Sequence, residues 1–296
     1  MEKEKNINPV VCIPIHTSKL NKFEIISIKS HIKQLNKYDI FILIPKSKQK
    51  NILNTLKKND INESLLRFHL VDDFHMKSSD NYQLLLLSPI FYLFYNSYSH
   101  ILIAQIDAYT FSDQLIKWCE SGWDYIGAPC FKYDKYWTNK LLFCGVGGYS
   151  LRSIEKTLEV LSINPRIFKL ADFLEYSGKY NFKGKIIMLI KFILTKILRK
   201  DLLKKDPKNN KFSSKIRNFF IFINEDISYC HYLPRYINSF KVADLEDSRN
   251  FCIDWNVKEQ LNAISPNLPF GAHAWFTYPE NLKIWKQYIN EFKEKD

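Results

Sequence analysis

Short apolar runs alternate with amphipathic stretches through the N-terminal part of this chain, and few architectures accept that order. "VVCIPI" (10–15), "DIFILIP" (39–45), "RFHLV" (67–71) and the apolar core of "SHILIAQIDAYTF" (99–111) have the length and β-branched content of strands. Between them, "KFEIISIKSHIKQL" (22–35) carries apolar residues at 25, 26, 28, 32 and 35, the spacing of a helix, and "QKNILNTLKK" (49–58) reads the same way. "YQLLLLSPIFYLFYNS" (82–97) predicts one mostly apolar helix kinked at Pro89. Strands apolar on both faces and separated by helices predict an α/β fold, a mostly parallel sheet covered on both sides. Ligands of such sheets bind beyond the carboxyl ends of the strands. His16 and Asp107 stand at two of those ends.

The pattern changes after Asp107. "SDQLIKWCESG" (112–122) predicts a short helix, "WDYIGAP" (123–129) a strand running into a turn, and "GVGGYSLRS" (145–153) a glycine turn with a short strand. Pro279 suits the first turn of a last helix. Several polar residues here have two readings. Asp107 is either a turn residue or a ligand for something positive, since an unpaired buried carboxylate is costly. Glu225 and Asp226, in "NEDIS" after "FFIFI", either stabilise a helix N-terminus or include a general base. His273, in "PFGAHAW", is either a hydrogen-bonded core residue or part of a metal site with Asp107. The glycines of "GVGG" make a tight turn or let backbone approach a ligand.

The 296 residues are 46% hydrophobic, enough for a substantial core, and the length suits one large domain or two small ones. Six scattered cysteines lack CxxC pairs and zinc spacing, which disfavours structural zinc and predicts free thiols in a reducing cytosol. "MEKEKNINPV" has no apolar leader core, and no run reaches membrane-spanning length. No Walker loop occurs and no GxGxxG follows the first strand, so a P-loop or Rossmann dinucleotide site lacks its phosphate cradle. No second carboxylate or histidine cluster supports a two-metal phosphoesterase.

Taken together, "DNYQLLLLSPIFYLF", "ILIAQIDAYTFSDQLIKWCESGWDYIGAP", "GVGGYSLRS", "NEDISYC" and "LPFGAHAW" resemble the signature blocks of a bacterial family first catalogued as a domain of unknown function and related to the GT-A nucleotide-sugar glycosyltransferases. The likeness covers residues 80–165 and 219–277 in order; before residue 80 only the strand–helix pattern matches. It implies a GT-A-like, Rossmann-like fold in one domain over 1–296, with a nucleotide-sugar half (8–130), an acceptor half (131–296) and a basic helical insertion at 165–218. It implies an inverting transferase that moves a sugar from a nucleotide-sugar donor to a hydroxyl of a glycan or lipid-linked acceptor, in surface-glycan or lipopolysaccharide synthesis. By the same likeness, Asp107 and His273 would hold Mn²⁺ or Mg²⁺ on the donor diphosphate. Pro14, Ile15 and His16 would line the nucleotide, and Asn81 and Tyr82 would face the donor beside Gln105 and Asp107. Gly147, Gly148 and Tyr149 would floor the sugar site, and Asp226 or Glu225 would be the base. Relatives often carry DxD where this chain has Gln105-Ile106-Asp107, and one carboxylate binds a hard cation less tightly than two. A non-catalytic sugar- or membrane-binding protein on a degenerate transferase scaffold is the competing expectation.

The formal net charge is +12. Twelve Lys/Arg against two acids between Lys183 and Arg217 account for +10 of it, so the rest of the chain is nearly neutral. On a helical wheel Ile187, Ile190, Ile193, Leu194 and Ile197 share a face. Lys185, Lys196, Arg199 and Lys200 gather on the other, where Leu189 and Phe192 intrude. This predicts either a helix packed on the domain with a solvated lysine face or a peripheral contact with anionic lipid at the inner face of the membrane. Nucleic acid is disfavoured, because few aromatics interleave with the charges.

Overall fold

The computed structural model describes residues 7–131, 141–162, 169–177, 181–198 and 224–295. The first half runs β1 (Pro9–Pro14), α1 (Lys22–Leu35), β2 (Asp39–Pro45), α2 (Gln49–Lys58), β3 (Leu66–Val71), α3 (Ser79–Leu86), α4 (Pro89–Phe94), β4 (His100–Ala104), β5 (Tyr109–Thr110) and α5 (Leu115–Glu120). The chain continues through β6 (Tyr125–Phe131), β7 (Leu141–Ser153), α6 (Ile154–Ser162), α7 (Leu170–Ser177), α8 (Phe182–Leu198) and α9 (Glu225–Ile227). It closes with α10 (Leu245–Phe251), β8 (Cys252–Ile253), α11 (Val257–Ile264), β9 (Gly271–Ala272) and α12 (Pro279–Trp285).

The main sheet has six strands in the order β3-β2-β1-β4-β7-β6. β3, β2, β1 and β4 are parallel, and β7 runs antiparallel between β4 and β6. Period-2 alternation sorts side chains to its two faces. Val11, Ile13, Ile40, Ile42, Leu102 and Ala104 meet α1, α2 and α5, while Val10, Cys12, Phe41, Leu43, Ile101 and Ile103 meet α3, α4 and α6. The expected α/β class, mostly parallel with helices on both faces, is the observed one. The 82–97 reading needs correction. Two helices replace one kinked helix, because Pro89, which has no N–H, starts α4 at its first turn.

From β1 the chain builds outward to β3, then returns to place β4 on the other side of β1. In an open α/β sheet the carboxyl ends of the two strands at such a reversal, here β1 and β4, are the usual ligand site. A second sheet of three strands, β5-β9-β8, closes over that end. Its strands are two residues each, too short to stand alone. α1 steadies them with three buried polar side chains on one face. Ser30 Oγ accepts from Thr110 N–H at 3.1 Å, the His31 ring meets Thr110 Oγ1 at 2.8 Å and the Gln105 carbonyl at 3.2 Å, and Trp275 Nε1 donates to Ser27 Oγ at 2.8 Å. Burial pushes the His31 pKa down to about 4, partly opposed by the Gln105 carbonyl and Asp107, so the ring is neutral near pH 7.

α7 and α8 belong to the expected basic insertion and pack through Phe173, Met188 and Phe192 onto Tyr232. Arg199, Lys200 and the remainder of the segment to Arg217 lie outside the described residues. No helix among the described residues is long and apolar enough to cross a membrane.

Candidate active site

The second sheet explains how residues far apart in sequence meet. β5 begins two residues after Asp107, and β9 ends one residue before His273. Their antiparallel register pairs Tyr109 with Ala272, which sets the Asp107 turn beside His273. β8 lies parallel to β9 with Ile253 opposite Ala272, and His273 N–H donates to the Ile253 carbonyl at 3.0 Å, which brings Asp254 alongside. Just past His273, Ala274 adopts a left-handed φ of 48°, and Trp275 N–H donates back to the Asp107 carbonyl at 3.2 Å.

His273 therefore stands between two carboxylates. Its Nε2 is 3.4 Å from Asp107 Oδ1 and its Nδ1 is 3.3 Å from Asp254 Oδ1. Both ring nitrogens are shut from solvent and neither completes a hydrogen bond at those distances. Burial alone would lower the imidazole pKa, but Asp107 and Asp254 together outweigh it and raise it well above the ordinary range. Burial likewise works to raise the Asp107 carboxyl, and the facing His273 brings it below its usual value.

Gly148 links this cluster to a second one. A Cβ there would lie 1.9 Å from His273 Nε2, so only glycine lets the imidazole rest on the strand. Its carbonyl accepts from Gln105 N–H at 3.0 Å, extending the β4–β7 ladder to the Asp107 turn. At the adjacent Gly147 a Cβ would meet Glu225 Oε2 at 2.9 Å. The two glycines thus run between His273 and the Glu225–Asp226 pair.

The paired acids have different environments. Glu225 is buried in an ion pair with Arg152. The guanidinium also donates to Tyr92 Oη at 2.7 Å and Tyr125 Oη at 3.2 Å, and stacks against the rings of Tyr125 and Tyr229. Glu225 N–H donates to Gln83 Oε1 at 3.3 Å, tying it to α3. Asp226 is only partly buried, and its Oδ1 accepts from Ile227 N–H at 2.8 Å. Burial first, then the Glu225 charge, push its pKa up to about 6, against backbone donors including Gly147. The helix that carries it continues as a π turn, Ser228–Tyr232.

The other expected site residues are placed as follows. Gln105 contributes backbone bonds to Gly148 and His31, and its side chain lies beside the buried Tyr82 hydroxyl, which completes no hydrogen bond. Pro14 ends β1 and Ile15 follows it fully buried in the core, so Ile15 does not line an opening; His16 is exposed, and its carbonyl accepts from Lys48 Nζ at 2.9 Å. Asn81 spends its amide on the Phe74 carbonyl at 2.6 Å. Tyr149 requires correction. Its ring is fully buried against Phe251 and Phe270 with its hydroxyl 2.9 Å from Thr110 Oγ1, so it supports the floor from within and presents no surface to a sugar.

Two residues escaped the sequence reading. Arg152 had a signal, since a lone arginine in the strand "YSLRS" demands an acid wherever that strand is buried. Asp254 had a fainter one, because "FCID" repeats the apolar-then-Asp ending of "AQID".

A family model described as "Protein of unknown function (DUF5672)" matches residues 66–273, well over half of the chain. The chain belongs to the DUF5672 family. The matched span takes in Asp107, Gly147, Gly148, Arg152, Glu225, Asp226, Asp254 and His273. Among solved structures, the DUF5672 chain is similar to the galactosyltransferase LgtC in complex with donor and acceptor sugar analogs. The identity is 10% and the TM-score 0.46, over 89% of this chain and 86% of that one. It is also similar to the apo form of the glycosyltransferase GlyE of Streptococcus pneumoniae TIGR4, at 10% identity and a TM-score of 0.45, over 97% of this chain and 64% of that one. A third, 4-diphosphocytidyl-2C-methyl-D-erythritol synthase of Anaerococcus prevotii DSM 20548, shares 12% identity at a TM-score of 0.32. No curated protein matches the sequence.

Proposed function

We propose that this DUF5672 protein is a glycosyltransferase that moves a sugar from a nucleotide-sugar donor to an acceptor hydroxyl with inversion. One observation carries the reading: the Asp107–His273 pair and Asp226 lie on either side of the Gly147–Gly148 backbone, at the carboxyl ends of the central strands. In a single displacement the acceptor oxygen attacks the anomeric carbon, its proton passes to the Asp226 carboxylate, and the bond to the nucleoside diphosphate breaks. A base needs a pKa near the working pH, and Asp226 has one pushed up to about 6. Glu225 is unsuited to that step because Arg152 already holds its charge; its work is to fix the strand–helix junction and raise its neighbour's pKa.

The residues present also fit a divalent cation, Mn²⁺ or Mg²⁺. His273 Nε2 is a buried nitrogen without a hydrogen-bond partner, facing a carboxylate oxygen, and a cation held there would displace the ring proton that Asp107 and Asp254 favour. Asp107 and His273 would be the protein ligands, with Asp254 holding the far side of the ring. No group of three or more His, Cys, Asp or Glu among the described residues forms a metal cage, so donor phosphate oxygens would complete the coordination. Such a cation supplies charge to offset the leaving diphosphate.

The test is a panel of UDP-, GDP-, dTDP- and CMP-sugars, followed by thermal shift and by hydrolysis with and without Mn²⁺. One donor is expected to stabilise the protein and turn over. Asp226→Asn should cut turnover about 100- to 10,000-fold while keeping donor binding. The same variant should raise the thermal midpoint at neutral pH. A carboxyl with a raised folded-state pKa stabilises only when protonated, and loses that contribution as pH climbs through about 6. Donor binding without turnover in the wild type would favour the non-catalytic reading.

A further inference from the structure

α8 is anchored through Phe192, one of the two residues that intrude on its lysine side, and through Met188, while the other, Leu189, is exposed. Phe192 (7% exposed) and Met188 (6%) are the residues that pack against Phe173 and Tyr232. The isoleucine side faces outward. Phe182 is 80% exposed, Ile190 52%, Ile187 50%, and Ile186 and Ile193 are exposed as well. Burying such side chains in the domain would be the ordinary outcome, and a contiguous bare stripe of this kind marks an interaction surface.

Charge indicates what meets that stripe. α8 contains four lysines (183, 185, 191 and 196) and no acid, and the sequence following it is equally basic. Lys183 and Lys185 are exposed at the end where the stripe begins. The acids on the neighbouring α7 do not cancel this charge. Asp172 is bonded to Arg235 and Tyr236, and Glu175 accepts from Arg235 and faces His231. A surface that is apolar along its crest, with exposed lysines where it begins, matches a bilayer interface with anionic headgroups. A folded acidic partner would explain the lysines but not the isoleucines.

We propose that α8 is a peripheral docking element for an anionic membrane surface, with the isoleucine side inserted among the acyl chains and Lys183 and Lys185 at the headgroups. Tyr232, on which α8 rests, lies in the helical run that begins with Glu225 and Asp226. Docking would therefore bring the proposed base towards a lipid-linked acceptor; that consequence rests on the transferase reading, whereas the docking itself does not.

Vesicle flotation of the full chain tests the docking without any sugar donor, so its outcome is independent of Asp107 and Asp226. The protein is expected to float with phosphatidylcholine–phosphatidylglycerol vesicles at low salt, to be released by high salt, and to stay down with phosphatidylcholine alone. Ile187→Gln/Ile190→Gln/Ile193→Gln alters exposed positions only, so its circular dichroism and melting should match the wild type, while partitioning falls about tenfold or more. Lys183→Gln/Lys185→Gln should lower partitioning about twenty-five-fold, about fivefold for each lysine. The proposal is overturned by failure of the wild type to float with anionic vesicles at low salt, or by a folded triple variant that floats as the wild type does. It is equally overturned by a lipid-free dimer that the triple variant abolishes, since a second copy would then be what covers the face.

Discussion

The two sides of the Gly147–Gly148 backbone are built on opposite electrostatic plans. On the Glu225 side a full ion pair is sealed inside the protein, with Arg152 caged by the hydroxyls of Tyr92 and Tyr125 and the ring of Tyr229. On the His273 side an imidazole stands between Asp107 and Asp254, close to both and hydrogen-bonded to neither, with both carboxylates partly open to solvent. A sealed, satisfied pair fixes geometry and has little left to offer a ligand. Nearby atoms with unmet hydrogen-bonding capacity are held ready for something else. That difference supports Glu225 as a positioning residue in the proposed reaction and leaves the open side to the proposed cation.

The most damaging way to break that contrast is to open the sealed side. Arg152→Met leaves Glu225 buried without its counter-charge, a loss of about 3–5 kcal/mol of unfolding free energy. Urea denaturation measures it directly. Arg152→Met/Glu225→Gln removes both charges and should recover most of the loss, because no charge is then left buried without its partner. A single variant that loses under about 1 kcal/mol would mean that water reaches the pair, and the two sides would then differ less than their geometry indicates.

Much of the frame behind this contrast was legible from residue order. α1 and α2 begin and end where apolar spacing puts them, at 22–35 and 49–58, because helix periodicity and caps are local. The capping box of Asn21 and Glu24 is one such local signal. β5, β8 and β9 were not legible as a sheet, since two-residue strands carry no period. Asp254 was lost with them, because it reaches His273 only through the register of β8 on β9. Ser27, Ser30 and His31 were read past for a related reason. On a helix they look like a solvated face, and only the second sheet packed over them turns them into buried supports. Ile15 and Tyr149 were misassigned because nearness in sequence to a strand end does not say which face a side chain takes.

A pH titration sharpens the contrast from beneath the open side. His31 has a folded pKa of about 4 against an ordinary 6.5, so the unfolded chain takes up a proton that the native state refuses. Its contribution to stability is complete above pH 6.5 and drains away as pH falls towards 4, for a total of about 3 kcal/mol. His69, also pushed down to about 4 by burial, adds a second proton in the same direction. His31→Asn should therefore be less stable at neutral pH and lose stability with acid about one proton less steeply than the wild type. An unchanged slope would show that the His31 ring is already charged, and the second sheet would then be held by an ion pair like the sealed side.

The gentlest intervention separates orientation from ligation on the open side. Asp254 touches only the Nδ1 face of His273, at 3.3 Å, while Nε2 points to Asp107 at 3.4 Å. Asp254→Asn preserves the shape of that contact and removes its charge. A carboxylate behind an imidazole fixes the ring and raises its basicity, so its loss should weaken Mn²⁺ binding in the presence of a nucleoside diphosphate by about 10- to 100-fold. Asp107→Asn removes a proposed ligand and should lower it further. Titration calorimetry reads both, and urea unfolding should show little change for Asp254→Asn, whose position at the end of a two-residue strand is partly exposed. If the two variants lost equal affinity, Asp254 would itself be a ligand, and the line of Asp107, His273 and Asp254 would need to rearrange around the ion.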